Sequence, residues 1–518
     1  MPVDRQDAGG LAGLLASHSW LGLIGSWVLF AVFLTGALTM FKREIDLWEK
    51  APAYFGSDAR ASAPLDAVLA QTVVPPEVKD PHLEVLLPGP MSAYYQVFVY
   101  DDEGDYYRAD AFHPHTGALL PPPEATGFGE FLEEFHKELY LPFGHYVVGV
   151  VTLLFFLGIV TGLVLYWPKL SWRSLTTIRA SRPRLRWLDL HNTTGVFGVP
   201  FHLLMAFTGV VFNLAILFNA AVVWGRLGGN DSAVWGLRFA PPLPVAAAGQ
   251  ARPTRGTDAL IADAARRLDA EPLRVSLIHY GDHNALFTVH VHGRGSFAQV
   301  GQVTYRVDDG SVARSLPPAD INALAHGNEV LHRLHYGDYG GFALRLVYFL
   351  LAIGSCFLVA TGNLLWIEKR LGQRKPPRSL RFVAALSAGT FGGMLVALAA
   401  AMTCARLLPV DGAARMSIVI GAFAASLGAS HVFAAFVARP RRALIVLCLV
   451  AGVLFALLPV LDWLRFGAAH ARAIAAGDYA VLFVEILCVA FAATCIACAR
   501  WLARDTMNAI KPRFAPER

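Results

Sequence analysis

The stretch HNTTGVFGVPFHLLMAFTGVVF, residues 191–212, has the length and apolar character of a helix that crosses a membrane, yet it contains His191 and His202. A helix needs about 20 mostly apolar residues to cross roughly 30 Å of hydrocarbon. Ionisable side chains are rare at such depth. Two imidazoles in one apolar stretch therefore point to a functional role for this segment.

The composition of the whole chain is that of an integral membrane protein. Of its 518 residues, 55% are hydrophobic and only 16% are charged, too few charges for an ordinary soluble enzyme. Apolar runs of about 20 residues recur along the chain and predict eight transmembrane helices. The runs cover about residues 19–41, 145–167, 193–218, 341–367, 382–407, 415–437, 442–464 and 479–502.

The distribution of lysine and arginine predicts the orientation. The basic loop and tail segments all fall on one side of an eight-span protein, which we expect to be the cytoplasm, with both termini inside. The net charge of +5 is explained by this topology, so no nucleic-acid-binding patch is needed. The basic residues are Lys169, Arg173, Arg179, Arg182, Arg184, Arg186, Lys369, Arg370, Arg374, Lys375, Arg378, Arg381, Arg439, Arg441, Arg442 and those of the tail ending at Arg518.

The first apolar run resembles a signal peptide only superficially. It is longer than the apolar region of a signal peptide and has no small-residue cleavage site before Lys42-Arg43, so we expect it to be retained.

Two long polar segments are expected on the periplasmic side. Each contains a short amphipathic helix followed by strand-like alternation, such as AYYQVFVYD in the first and ALFTVHVHG in the second. The order helix, strand, strand, turn, strand predicts two small α/β modules. The predicted fold class is an all-α polytopic membrane protein of about eight transmembrane helices with these two modules. The predicted parts are span one (1–45), module one (46–134), spans two and three with a basic loop (135–225), module two (226–334), span four (335–370) and a four-helix bundle (371–518).

An internal duplication relates four histidines. A Thr-Gly pair lies near the end of each of the first four spans, and distances counted back from it match in pairs. His18 and His191 both lie 17 residues upstream of the marker in their spans, whereas His136 and His335 lie 25 and 26 residues upstream. The first four spans therefore form a duplicated block of span, module, span. The markers are Thr35-Gly36, Thr161-Gly162, Thr208-Gly209 and Thr361-Gly362.

These histidines are the candidate ligands of two haem irons. Imidazoles from facing helices bind haem between them, and glycines let the flat macrocycle approach the backbone. We expect His18 with His191 near the inner face and His136 with His335 near the outer face. No CxxCH motif occurs, so haem b is expected rather than covalent haem c. The alternative is that the rings are interfacial and lie at headgroup level.

Other polar residues are reserve candidates. His202 follows His191 by eleven residues, which is close to three helical turns, so both rings are expected on one face about 16 Å apart. His202 is therefore a reserve ligand or a haem-edge contact. Pro142 and Gly144 interrupt the approach to the second span. His136 is therefore expected on an external turn, or else His145 replaces it.

Three further side chains complete the candidates. His332 is a second reserve ligand of the outer site. Arg345 needs an anionic partner inside its span, either a haem propionate or, by snorkelling, the nearby surface. Glu485 in the last span raises the same question, and no partner is predicted for it.

At these residues the chain resembles the PepSY-associated transmembrane helix family, inner-membrane proteins that include ferric-siderophore reductases. The resemblance covers about residues 15–370 and rests on HSWLGLIGSWVLFAVFLTGAL (18–38), LHYGDYGGFALRLVYFLLAIGSCFLVATG (334–362), the matching stretches of the second and third spans, and two outer modules similar to PepSY domains. The last four spans lie outside the family pattern.

The resemblance implies a haem-dependent oxidoreductase. Electrons would cross the inner membrane through two bis-histidine haems and reduce Fe(III) in a siderophore complex on the periplasmic side, with release of Fe(II). The implied ligands are His18, His191, His136 and His335. No Gly-rich phosphate loop follows a strand, so a membrane quinol or a separate partner is the expected electron donor. The alternative function is a non-redox permease or a regulator whose modules bind a periplasmic ligand.

Overall fold

A computed structural model describes most of the chain, which divides into two compact units. The membrane unit contains Met1–Glu49, Phe128–Leu214 and Leu346–Arg518, and the sheet unit contains Lys50–Gly127 and Ala215–Arg345. The described residues are 5–55, 63–89, 92–101, 104–121, 126–179, 183–215, 220, 223–225, 243–293, 297, 300–371, 373, 377, 379–409, 414–437 and 439–509. Of the predicted basic residues, Arg182, Arg374, Lys375, Arg378 and Arg518 lie outside these ranges.

Helices make up most of the described chain. In chain order they are α1 (Arg5–Thr39), α2 (Lys42–Tyr54), α3 (Leu65–Leu69), α4 (Phe128–Glu138), α5 (Gly144–Tyr166), α6 (Trp172–Thr176), α7 (Pro183–Phe197), α8 (Val199–Asn213), α9 (Thr257–Leu268), α10 (Ala323–Tyr336), α11 (Gly341–Leu371), α12 (Ser379–Leu407), α13 (Arg415–Phe436), α14 (Pro440–Ala475) and α15 (Ala480–Ala509).

The membrane-spanning helices confirm the predicted fold class. Within the described ranges, seven helical segments are long and apolar enough to cross a membrane, and α7 with α8 adds an eighth if this bent pair is one span. The two helices meet at 68°. The seven are Gly10–Thr39, Gly144–Lys169, Asp338–Leu371, Ser379–Leu407, Arg415–Phe436, Pro440–Ala475 and Ala480–Arg504.

Small residues on α12 let it pack closely against α13 and α14. A methyl group added at Gly389, Gly392 or Gly393 would lie 2.8, 2.8 or 2.7 Å from side-chain atoms of α13 or α14. Such close approach is how helices associate within a membrane, where no hydrophobic force drives them together. On another face of α12, Ser387 accepts a hydrogen bond of 3.1 Å from Trp27 of α1. The helix α12 therefore packs against the first span.

The sheet unit contains one antiparallel sheet of eight strands. The strand order is β4-β3-β2-β1-β5-β6-β7-β8, so each half of the sheet comes from one of the two predicted modules. The strands are β1 (His82–Leu86), β2 (Tyr95–Tyr100), β3 (Tyr106–Phe112), β4 (Leu119–Leu120), β5 (Ala270–Ile278), β6 (Leu286–Gly293), β7 (Val300–Arg306) and β8 (Val312–Leu316).

The two modules join edge to edge, which the sequence did not predict. β1 pairs with β5, with Leu83 opposite Leu277 and Val85 opposite Val275. All four side chains are buried in a core to which α3 and α9 also contribute. Each module would alone expose the unpaired backbone groups of an edge strand. Joining the two edges satisfies those groups and makes one continuous apolar face.

Candidate functional site

The structure brings His18 of α1 and His191 of α7 together. Their ring centres are 6.3 Å apart, with an angle of 74° between the ring planes. Metal–imidazole bonds of about 2.0–2.1 Å place the centres of two rings on opposite sides of one metal ion roughly 6 Å apart. The separation of the two rings therefore suits two axial ligands of a single metal ion.

Each imidazole is held through its own Nδ1 nitrogen. His18 Nδ1 lies 3.0 Å from the carbonyl oxygen of Gly158 and 3.2 Å from Thr161 Oγ1. His191 Nδ1 lies 3.2 Å from the carbonyl oxygen of Leu358 and 3.2 Å from Thr361 Oγ1. Donation from Nδ1–H to a carbonyl leaves Nε2 as the unprotonated nitrogen, the arrangement found for metal-bound histidines.

Two of the four Thr-Gly markers, Thr161-Gly162 and Thr361-Gly362, receive the rings of His18 and His191. An added methyl group at Gly162 would lie 3.0 Å from His18 Cε1, and one at Gly362 would lie 3.4 Å from His191 Cε1. The carbonyl that meets each ring belongs to the residue four positions before the glycine. The sequence marked these pairs as a repeat but gave no reason for them. These two markers each dock the histidine of the preceding span.

His136 docks on the first marker in the same way. Its Nδ1 lies 2.8 Å from the carbonyl oxygen of Val32, four residues before Gly36. Burial is the main cause that lowers the pKa of His136, which keeps the ring neutral. The prediction that His136 sits on an external turn is wrong, because it lies in α4 and the turn follows it. That turn uses positive φ at Leu139, Tyr140 and Phe143.

The remaining outer candidates are divided between the two units. His145 is in the first turn of α5, with its ring centre 4.0 Å from that of Tyr146. His332 and His335 lie on α10 of the sheet unit, where His332 Nδ1 meets the carbonyl oxygen of Asn328 at 2.9 Å. Since His136 belongs to the membrane unit, its pairing with His335 stays a prediction.

Arg345 also belongs to the sheet unit. Its guanidinium carbon lies 5.8 Å from the centre of the Phe342 ring, within cation–π range. A propionate partner for it stays a prediction.

The family of this membrane protein follows from comparison with known proteins. The family described as the PepSY-associated TM region matches residues 15–369. This chain belongs to that family. The uncharacterized protein PA4219 of Pseudomonas aeruginosa is 27% identical to it over 293 residues, which cover 54% of this chain and 73% of that protein. The three docked histidines of this PepSY-associated TM protein all lie within the matched region, and α12–α15 lie beyond it.

The expectation that His202 shares one helix face with His191 is wrong. The two residues lie on α7 and α8, which are separated by the 68° bend. Pro200 near the start of α8 has no N–H to continue the α7 hydrogen-bond ladder, and its ring disfavours a straight helix. His202 is 2% exposed and packs edge-on against Phe155 and Phe201. A role of His202 as a reserve ligand or haem-edge contact in the PepSY-associated TM protein stays a prediction.

Gly36 provides a steric test of the docking. We expect Gly36→Ala to lower the melting temperature, because the new methyl group would lie 2.6 Å from His136 Cε1 and overpacking costs roughly 1–3 kcal/mol. Gly362→Ala is the matched control, since its methyl group would make an ordinary 3.4 Å contact. Without a clash, alanine favours a helix over glycine by about 1 kcal/mol. Equal melting shifts for both variants would show that the Gly36 contact does not hold His136.

Two other groups of side chains have metal-ligand chemistry. In the sheet unit, Asp80, His82 and His279 lie close together. Both nitrogens of His279 are occupied, with Nδ1 2.7 Å from Asp80 Oδ2 and Nε2 2.8 Å from the carbonyl oxygen of Val245. Burial acts to lower the pKa of His279, but the hydrogen bond and charge of Asp80 outweigh it, so the pKa is raised. This group is a charged pair rather than an open metal site. The second group contains Glu485 and lies in the membrane unit.

Proposed function

We propose that this protein is an inner-membrane di-haem oxidoreductase that reduces Fe(III) held in a siderophore complex on the periplasmic side. The observation that carries the proposal is the pair His18 and His191. The ring centres of two half-buried imidazoles lie 6.3 Å apart with the ring planes at 74°, and each Nδ1 is held by a helix carbonyl. Within the described chain, neither Nε2 has a hydrogen-bond partner, so both are available to a metal ion.

The residues present fit a haem. When bound, haem b supplies a one-electron redox centre whose potential depends on its axial ligands and burial. His18 and His191 would hold the haem iron. Thr161 and Thr361 fix the ring orientations through Nδ1, which is the role that second-shell groups have at metal-bound histidines. Gly162 lets the His18 imidazole lie against its helix, because an added methyl group would be only 3.0 Å from Cε1.

The outer haem of the proposal rests on the duplication. His136 is equivalent to His335 in the repeat, and His136 is already docked and neutral. A neutral imidazole is the form that binds iron. Arg345 would offset the charge of a haem propionate. The chelate would bind on the sheet unit, and both termini would be cytoplasmic.

The reaction needs one electron for each Fe(III) that becomes Fe(II). The proposed donor is a membrane quinol or a separate protein on the cytoplasmic side. Fe(II) is held weakly by a siderophore, so it would leave the complex after reduction. No proton or covalent step on the chelate is required.

The test uses purified full-length protein supplied with haem. We expect a Soret band and, after dithionite, a sharp α band, and the pyridine haemochrome assay should give two haems per chain. In right-side-out vesicles, a membrane-impermeant Fe(III) chelate should be reduced only from the outside. Folded but colourless protein would reject the redox proposal and favour the permease or regulator. Reduction only in inverted vesicles would reject the proposed orientation.

A further inference from the structure

We propose that Asp462, His470 and Glu485 form a binding site for a divalent first-row transition-metal ion in the C-terminal bundle. Asp462 and His470 lie on α14 and Glu485 lies on α15. One ligand atom from each of the three residues lies within 4.8 Å of the other two. All three lie outside the part of the chain that matches the family. The proposal does not depend on haem binding.

Burial of these polar groups is nearly complete. Asp462, His470 and Glu485 are 1%, 2% and 5% exposed. The backbone of α14 departs from helical geometry at Phe466, between the first two of them. A small pocket lined by His470, Glu485 and Trp463, among others, opens beside them. The kinked helix thus directs polar side chains from both of its parts toward α15.

The imidazole of His470 lacks the hydrogen bonds that a buried histidine needs. Neither of its nitrogens is hydrogen-bonded to any described residue, although Nδ1 lies 3.2 Å from Glu485 Oε1. Glu485 Oε1 is also without a hydrogen bond, whereas Oε2 accepts one of 2.8 Å from Trp463 Nε1. Buried polar atoms without partners are costly. A metal ion bonded to His470 and Glu485 would satisfy both.

Asp462 can supply the third bond to the metal ion. One carboxylate oxygen accepts a hydrogen bond from Trp48 Nε1, and the other lies 2.5 Å from Arg406 Nε in an ion pair outside hydrogen-bond geometry. An ionised carboxylate has about four lone-pair sites, so these contacts leave some free.

The types of side chain determine which ions this site would bind. One imidazole and two carboxylates bind ions such as Fe(II), Co(II) or Zn(II), and the imidazole disfavours Mg(II) and Ca(II).

Cobalt(II) binding to the full-length protein tests the site. After desalting, wild type should retain one more Co(II) per chain than His470→Ala or Glu485→Gln, and each variant should bind at least about 10-fold more weakly. Glu485→Gln preserves shape and an oxygen for Trp463, so it remains informative if His470→Ala fails to fold. Equal retention by wild type and both variants, or no retention by wild type, would overturn the proposal.

Two controls separate this site from other histidines. His431 of α13 is also in the bundle, but its Nδ1 meets the carbonyl oxygen of Leu427 at 2.9 Å and its Nε2 meets Thr390 Oγ1 at 3.1 Å. We therefore expect His431→Ala to retain the Co(II). Asp80→Asn in the sheet unit should retain it as well. Loss of the same ion in Asp80→Asn would assign it to the sheet unit and overturn the proposal.

Discussion

His191→Ala is expected to remove about half of the haem from a chain that, as proposed, binds two. The expectation rests on the proposed function and on the paired rings of His18 and His191. A haem that loses one of two axial ligands binds much more weakly, whereas the outer haem keeps both of its proposed ligands. The pyridine haemochrome assay, normalised to protein, measures the ratio directly. His18→Ala should give the same result.

His202→Ala is the control for a buried histidine in the same part of the chain. Its ring packs against Phe155 and Phe201, so its loss should leave a cavity and a full complement of haem. Thr361→Val keeps both ligands and removes one contact to His191 Nδ1, so we expect roughly 10-fold weaker haem binding in a folded protein. If His202→Ala loses as much haem as His191→Ala, the assignment of His18 and His191 is wrong.

The sequence was sufficient for the spans and for the inner histidine pair. Span length is a property of composition, so apolar runs located helices such as α5 and α12. The pairing of His18 with His191 followed from equal distances to the Thr-Gly marker, because a duplicated segment places equivalent residues at equal depth. The Thr-Gly marker also indicates where a histidine ring docks, which we did not predict. A glycine and a carbonyl four residues earlier are a docking surface for a ring.

Features set by distant packing were not visible in the sequence. Gly198 and Pro200 are residues that commonly interrupt a helix, but we interpreted this stretch as one straight span. The 68° angle between α7 and α8 depends on how α8 packs. The pairing of β1 with β5 joins residues 83–86 to residues 274–277, and no local pattern selects that edge. The partners of Glu485 likewise come from α14, where the kink at Phe466 determines which side chains face it.

A buried ion pair between Glu49 and Arg415 gives the largest expected effect on stability. Glu49 is 0% exposed and its side chain contacts Arg415 Nη1, while its other oxygen accepts a 2.9 Å hydrogen bond from the backbone N–H of Phe128. The pair therefore ties α2 and the start of α4 to α13. Arg415→Met would leave a buried carboxylate unpaired, at a cost of about 3–5 kcal/mol.

The expected result is a melting temperature lowered by several degrees, since 1 kcal/mol shifts the midpoint by about 2–4 °C in domains of 150–250 residues. Arg267→Met is the matched control, because Arg267 pairs with Asp263 on the exposed face of α9 and solvent-exposed pairs contribute little to stability. Adding Glu49→Gln to Arg415→Met should recover part of the loss, because no unpaired charge then remains buried. The melting midpoint is read from the fraction of monodisperse protein after heating. If Arg415→Met melts no lower than Arg267→Met, this pair does not hold the three helices together.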